Sequence, residues 1–123
     1  MPAGSATANF VVSALQDMTA LVEVDIIRGA VVDGTVKETI RRFTPDSSDT
    51  NWSSGSACIQ WTDPDFDPAM PAYYYVRVLQ APTWRWSHYD CQTNPANAAC
   101  APDGGVDVMI QERAWSSPIW WLP

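Results

Sequence analysis

The stretch Trp61 to Trp86, WTDPDFDPAMPAYYYVRVLQAPTWRW, permits few folds, because an acidic, proline-punctuated segment runs directly into the most strand-like sequence of the chain. Tyr74, Val76 and Val78 alternate with Tyr73, Tyr75, Arg77 and Leu79. An extended backbone sends successive side chains to opposite faces, so this run is expected to be a strand buried on at least one side. Ahead of it, Pro64, Pro68 and Pro71 fix φ and bias the residues before them away from helix, which predicts a rigid extended loop. Ala81-Pro82 ends the strand. Trp84, Arg85 and Trp86 then place two indoles around a guanidinium, suited to cation–π stacking or to packing an edge on a neighbouring surface.

The same period of two recurs along the chain. Phe10 to Leu15 is a short apolar run that can start a strand. Leu21 to Phe43 is the clearest hairpin: Val22, Val24 and Ile26 alternate with Glu23 and Asp25, and Val36, Glu38, Ile40 and Arg42 with Lys37, Thr39 and Arg41. Asp33-Gly34 between the halves is a favoured two-residue turn. A helix over Lys37 to Phe43 is disfavoured by Thr39 and Ile40. Thr44 to Ser56 is a loop by composition, with Trp52 alone in it. Ala57 to Trp61 is a further strand, Ser87 to Gly105 an irregular excursion, and Val106 to Gln111 a return to period two. The end, ERAWSSPIWWLP, forms a proline-bounded edge. Six or seven short strands, turn signals every ten or so residues and no convincing amphipathic helix predict a mostly β chain, an antiparallel β-sandwich-like single domain with long irregular loops. The small polar residues Met1 to Asn9 read as a flexible or linker segment, and residues 10–123 as the β-rich domain.

At 123 residues the chain can bury one real core. Its net charge of -7, from 14 acidic against 7 basic residues with Lys37 the single lysine, argues against nucleic acid or an anionic membrane as partner. No run of 18 apolar residues exists to span a bilayer. The opening MPAGSATANFVVSAL has neither a basic n-region nor a sustained apolar h-region, so it does not read as a signal peptide. Three cysteines allow one bridge. Cys91 to Cys100 is the pair most readily closed, across a segment punctuated by Asn94-Pro95 and Ala101-Pro102; Cys58 to either partner, or three free thiols, are the alternatives. A bridge places the chain in an oxidising compartment, periplasmic or secreted. Asn51-Trp52-Ser53 matches the N-glycosylation pattern, too common by chance to carry weight.

Candidate chemistry is sparse. Asp63, Asp65 and Asp67 resemble the opening of a calcium loop, but Pro68 stands where the loop glycine belongs and Tyr74 where the bidentate glutamate should be. A solvated turn, or one paired with Arg77 or Arg85, is the expectation, and no metal is assigned. Zinc is disfavoured, since there is no C-x-x-C and His88 is the only histidine. Ser87, His88, Tyr89 and Asp90 are neighbours in sequence, yet a triad needs convergence in space. No glycine-rich phosphate loop is present, Glu112-Arg113 reads as an ion pair at a strand end, and no catalytic residue is assigned.

Six segments occur in a telling order: FVVSALQD (Phe10 to Asp17), VDIIRGAVVDG (Val24 to Gly34), WTDPDFDP (Trp61 to Pro68), AYYYVRVL (Ala72 to Leu79), PTWRWSHYD (Pro82 to Asp90) and QERAWSSPIW (Gln111 to Trp120). Together they resemble the carboxyl-terminal part of a bacterial family of unknown function, whose full-length members resemble metal-dependent hydrolases of the polymerase-and-histidinol-phosphatase type. The resemblance implies that the His, Asp and Glu metal ligands belong to a larger amino-terminal domain. None of them carries over to a position here, so this chain itself takes no cofactor, and a divalent metal is expected only in the missing hydrolase domain. It also implies that a cysteine is frequent where this chain has Trp84, so a bridge from Cys58 to that site is lost, and that Cys91 to Gly105 is a local variation.

Two functions follow as expectations. The first is a non-catalytic domain packed on a metal-dependent phosphoesterase-like hydrolase domain, through an interaction surface built from Tyr73, Tyr75, Arg77, Trp84, Arg85, Trp86, Arg113, Trp120 and Trp121. The alternative is a free-standing extracellular module, in which tryptophans, Trp52 among them, present platforms to polysaccharide, or in which identical subunits assemble through an exposed edge strand.

Overall fold

Alternation of apolar and polar residues is realised as ten strands among the described residues: β1 (Asn9–Leu15), β2 (Leu21–Val32), β3 (Thr35–Phe43), β4 (Thr50–Ser53), β5 (Ser56–Thr62), β6 (Ala72–Gln80), β7 (Thr83–Trp84), β8 (Met109–Ile110), β9 (Arg113–Trp115) and β10 (Ile119–Trp121). Between β7 and β8 lie one helix, α1 (Trp86–Thr93), and a 3-10 turn, Ala98–Cys100. The computed structural model describes residues 6–102 and 104–123. Of the linker expected over Met1 to Asn9, residues 1–5 lie outside the described residues. Ala8 is held in place, its carbonyl accepting from the Asp63 N–H at 2.9 Å.

Every pairing is antiparallel. A three-stranded sheet runs β1-β5-β4, and a five-stranded sheet runs β10-β6-β2-β3, with β9 pairing farther along the same edge of β6. β7 and β8 form a separate two-stranded ribbon. The two sheets meet across one core, to which β1 gives Phe10, Val12 and Ala14, β5 gives Ala57, Ile59 and Trp61, β2 gives Leu21, Val24 and Ile26, and β6 gives Ala72, Tyr74, Val76 and Val78. Phe43 at the end of β3 is completely buried and closes one side. Each of these large side chains contributes roughly 1.5–3 kcal/mol by leaving water. The antiparallel sandwich-like architecture is the one that the period of two predicts.

The Asp33-Gly34 turn joins β2 to β3 with φ of 53° and 74°. Positive φ at both central residues is the type I′ requirement, and its twist matches the flanking strands. The register runs from Val32 opposite Thr35 to Val24 opposite Phe43, so Lys37 to Phe43 is strand.

Three segments depart from expectation. The loop over Thr44 to Ser56 contains β4, which pairs with β5 through the Ser54-Gly55 turn and lays Trp52 against the core. Gly55, at φ 88°, supplies the turn conformation that other residues resist. The irregular excursion after Trp86 begins as α1, whose residues lack an apolar stripe and bury only Ser87. Val106 to Gln111 pairs only over Met109 and Ile110, because its partner β7 is two residues long.

Candidate functional site

On β6, residues 74, 76 and 78 point into the core, so 73, 75, 77 and 79 face outward on the five-stranded sheet. Three rungs cross that outer face. The first runs Glu38, Gly29, Tyr73 and Trp120 over β3, β2, β6 and β10. The second runs Ile40, Ile27 and Tyr75, and the third Arg42, Asp25, Arg77 and Trp115, the last residue on β9.

The apolar part of this face meets solvent over a wide area. Val36 is 58% exposed, Ile40 53%, Trp115 57% and Trp120 63%. Tyr73 stacks on Tyr75, with ring centroids 6.4 Å apart, and leans on Trp120 at 5.2 Å. The Tyr73 ring crosses β2 directly over Gly29, where a Cβ would overlap it, and its hydroxyl donates to Glu38 Oε1 at 2.7 Å. Only a glycine lets the phenol lie flat and bridge three strands. The bond to Glu38 holds the Tyr73 hydroxyl above its ordinary pKa. Ile27, between Ile40 and Tyr75 in the second rung, is buried although it lies on the outward side.

Beside the aromatic rungs lies a charge cluster. Asp25 is completely buried, with Arg42 Nε 3.3 Å from Oδ1 and Arg77 Nη2 2.6 Å from Oδ2. Arg77 Nε adds a second bond at 3.1 Å. Each carboxylate oxygen thus has its own guanidinium, which offsets the penalty of burying the charge. The bond to Asp25 raises the Arg77 pKa further. Arg42 also reaches Glu23 Oε2 at 3.0 Å. Glu23 is held above the ordinary carboxylate range, chiefly by burial and then by the neighbouring Asp25 charge. The result is an arginine pair anchored on one buried carboxylate, next to the exposed Trp115.

The residues expected to share one surface are parted. Tyr73, Tyr75, Arg77, Arg113 and Trp120 lie on the outer face, Arg113 standing opposite Leu79. Trp121 turns to the other side of β10, where its indole N–H donates to the Pro68 carbonyl at 3.1 Å and its ring meets Phe66 edge-on at 5.3 Å. Trp84, Arg85 and Trp86 sit on the ribbon and at the start of α1. Trp84 stacks on His88, with centroids 4.0 Å apart, so the expected clasp of two indoles around Arg85 is replaced by an indole–imidazole pair. A cation–π contact occurs instead between Arg41 and Phe43, at 5.1 Å.

Asp63, Asp65 and Asp67 do not converge. Asp63 is buried; its Oδ2 accepts from the Tyr74 hydroxyl at 2.7 Å and lies 2.8 Å from Arg28 Nε, while its Oδ1 accepts from the Asp65 N–H at 3.0 Å. Arg28 Nη2 donates to the Asp65 carbonyl at 2.8 Å, and Asp67 accepts from the Ala69 N–H at 2.9 Å. The partner of this turn is therefore Arg28, brought from β2, and not Arg77, which Asp25 occupies, or Arg85, which lies on the ribbon. Burial and the bond to Asp63 push the Tyr74 pKa up to about 12. Among the described residues no group of three or more His, Cys, Asp or Glu side chains is placed to hold a metal ion. Ser87 is buried with its hydroxyl donating to the Asp107 carbonyl at 2.7 Å, which commits it to structure and not to His88. Cys91 and Cys100 are bonded, tying α1 to the 3-10 turn, and Cys58 is free.

Sequence reasoning missed Asp25, Gly29, Val36, Ile40 and Trp115 as parts of one face. Gly29 was the available signal, since a glycine inside a strand marks a close approach.

The profile of a family described as protein of unknown function (DUF3604) matches residues 41–123. The chain belongs to that family. No curated protein and no solved structure matches it. The DUF3604 match takes in the acidic turn, β6, the ribbon, α1 and the closing strands, and it leaves out the FVVSALQD and VDIIRGAVVDG segments. The DUF3604 residues thus include Arg42, Tyr73, Tyr75, Arg77, Trp115 and Trp120, while Asp25 and Gly29 lie in β2, outside the match.

Proposed function

We propose that this chain is a non-catalytic β domain that packs the outer face of its five-stranded sheet on a metal-dependent phosphoesterase-like hydrolase domain. The observation that carries the docking role is that face itself: exposed Trp115, Trp120, Ile40 and Val36 around stacked tyrosines, beside an arginine pair anchored by Asp25. Contiguous apolar surface of this kind marks interaction sites, and Trp, Tyr and Arg concentrate binding energy there. Rings locked over Gly29 lose little entropy on docking. The nature of the partner rests on the resemblance of the WTDPDFDP, YYYVRVL and ERAWSSPIW segments to the hydrolase family. A divalent metal, in this reading, belongs to the partner domain, and the location is periplasmic or secreted.

The test is to produce this chain and the hydrolase domain of a longer family member separately, and to measure their association by sedimentation velocity and calorimetry. A one-to-one complex is expected, lost in the Trp115→Ser/Trp120→Ser double variant, with no hydrolysis of p-nitrophenyl phosphate by this chain alone. Association that survives the double variant, or turnover by the isolated chain, overturns the reading. Concentration-dependent polymers of the chain alone assign the face to identical subunits instead.

A further inference from the structure

The end of the sandwich, which Arg113 borders from the outer face, carries an open groove of about 730 Å³ between the β1–β2 connection, the end of β6, the start of β9, the β7–β8 ribbon and the start of α1. We propose that this groove binds a neutral oligosaccharide.

Aromatic rings line one part of it. Trp84, Trp86 and Tyr89 all face the groove and are at least half exposed, Trp86 most of all at 69%. Trp84 is not a loose ring: His88 lies nearly parallel to it, with 16° between the planes, and His88 in turn contacts Gln92 at 3.1 Å. A fixed indole presents a flat, electron-rich face, against which the C–H groups of a pyranose pack with little loss of side-chain freedom.

The polar lining completes the chemistry. Asp17 and Glu112 offer carboxylate acceptors, Arg85 and Arg113 offer guanidinium donors, and Gln80, whose Oε1 accepts from the Thr19 hydroxyl at 3.3 Å, offers its amide N–H groups. None of these four charged side chains forms an ion pair among the described residues. Their charges cancel, and in a chain of net charge -7 this disfavours an anionic ligand. An apolar peptide laid in the groove would strip water from all four while its side chains offered them no hydrogen bond, leaving only backbone groups to replace it. A neutral polyol supplies donors and acceptors to each of them and an apolar ring face to the indoles. The volume is that of an ordinary small-ligand site, roughly 300–1,000 Å³.

This inference is independent of the docking role and is tested separately. Tryptophan fluorescence and calorimetry on the full chain are run with cellohexaose, xylohexaose, mannohexaose and maltohexaose, with heparin and a proline-rich decapeptide as contrasts. At least one neutral hexasaccharide is expected to shift the emission and release heat. Trp86→Ala, at an exposed position and so expected to leave the circular dichroism unchanged, is expected to weaken that binding about tenfold or more, equivalent to about 1.4 kcal/mol. Tyr89→Ala is expected to weaken it as well, and Trp120→Ser, on the other face, to leave it unchanged. The inference is overturned by binding of none of the four sugars, by binding that survives Trp86→Ala and Tyr89→Ala, or by binding of heparin or the peptide alone.

Discussion

Asp63 shows how much one residue of this chain organises. Its carboxylate joins the Tyr74 hydroxyl, the Arg28 guanidinium and the Asp65 N–H, so it ties the acidic turn to both central strands of the larger sheet. Asp63→Ala leaves the largely buried Arg28 and the Tyr74 hydroxyl without their partner. A loss of about 3–5 kcal/mol is expected, read as a lower urea midpoint at unchanged slope. Tyr74→Phe removes one neutral donor, leaves Arg28 paired with Asp63, and is expected to lose only about 1–2 kcal/mol. The Tyr74 pKa sets an alkaline limit as well. Below the ordinary value of 10.0 the hydroxyl is protonated in both states. Above it the unfolded chain ionises first, while the folded chain keeps the proton until about 12. The stability from this group is therefore present below pH 10.0 and is lost as pH rises through about 12. In Tyr74→Phe this component of the alkaline loss is expected to vanish, as followed by tyrosinate absorbance alongside unfolding.

At the scale of elements, the β2–β3 hairpin was legible because its turn is written in two adjacent residues. Gly34→Val puts a β-branched residue at φ 74°, and is expected to destabilise by about 1–2 kcal/mol without altering the strand register. β4 was not legible, since four residues around a single Trp52 are too few to establish a period. Nor was α1: eight residues burying only Ser87 carry no 3.6-residue stripe, and the helix is held by its surroundings, the Cys91–Cys100 bond among them. The Cys91→Ser/Cys100→Ser variant is expected to lose about 3 kcal/mol or less. Hydrogen exchange is expected to show faster exchange in α1, with β2 and β6 amides unchanged, because the bond touches neither strand.

For the whole molecule, the outer face of the larger sheet is assembled from strands far apart in the chain, with β6 taking β2 on one side and both β9 and β10 on the other. Trp115 and Trp120 are exposed there, so Trp115→Ser/Trp120→Ser is expected to change stability by no more than about 1 kcal/mol while improving solubility and abolishing docking. A large fall in the melting temperature would show that these indoles belong to the fold and not to a partner surface. The sequence by itself determines that the chain is a β protein with its turn at Asp33-Gly34 and with Tyr74, Val76 and Val78 sharing one face of a strand, because alternation and turn chemistry act between near neighbours. Only the tertiary structure decides that Asp25 lies under Arg42 and Arg77, that Arg28 serves Asp63, that Tyr73 crosses Gly29, and that Trp84 and Trp120 serve different surfaces. Those contacts depend on cross-strand register, which is set when both sheets bury their apolar faces together and leaves no trace in local spacing.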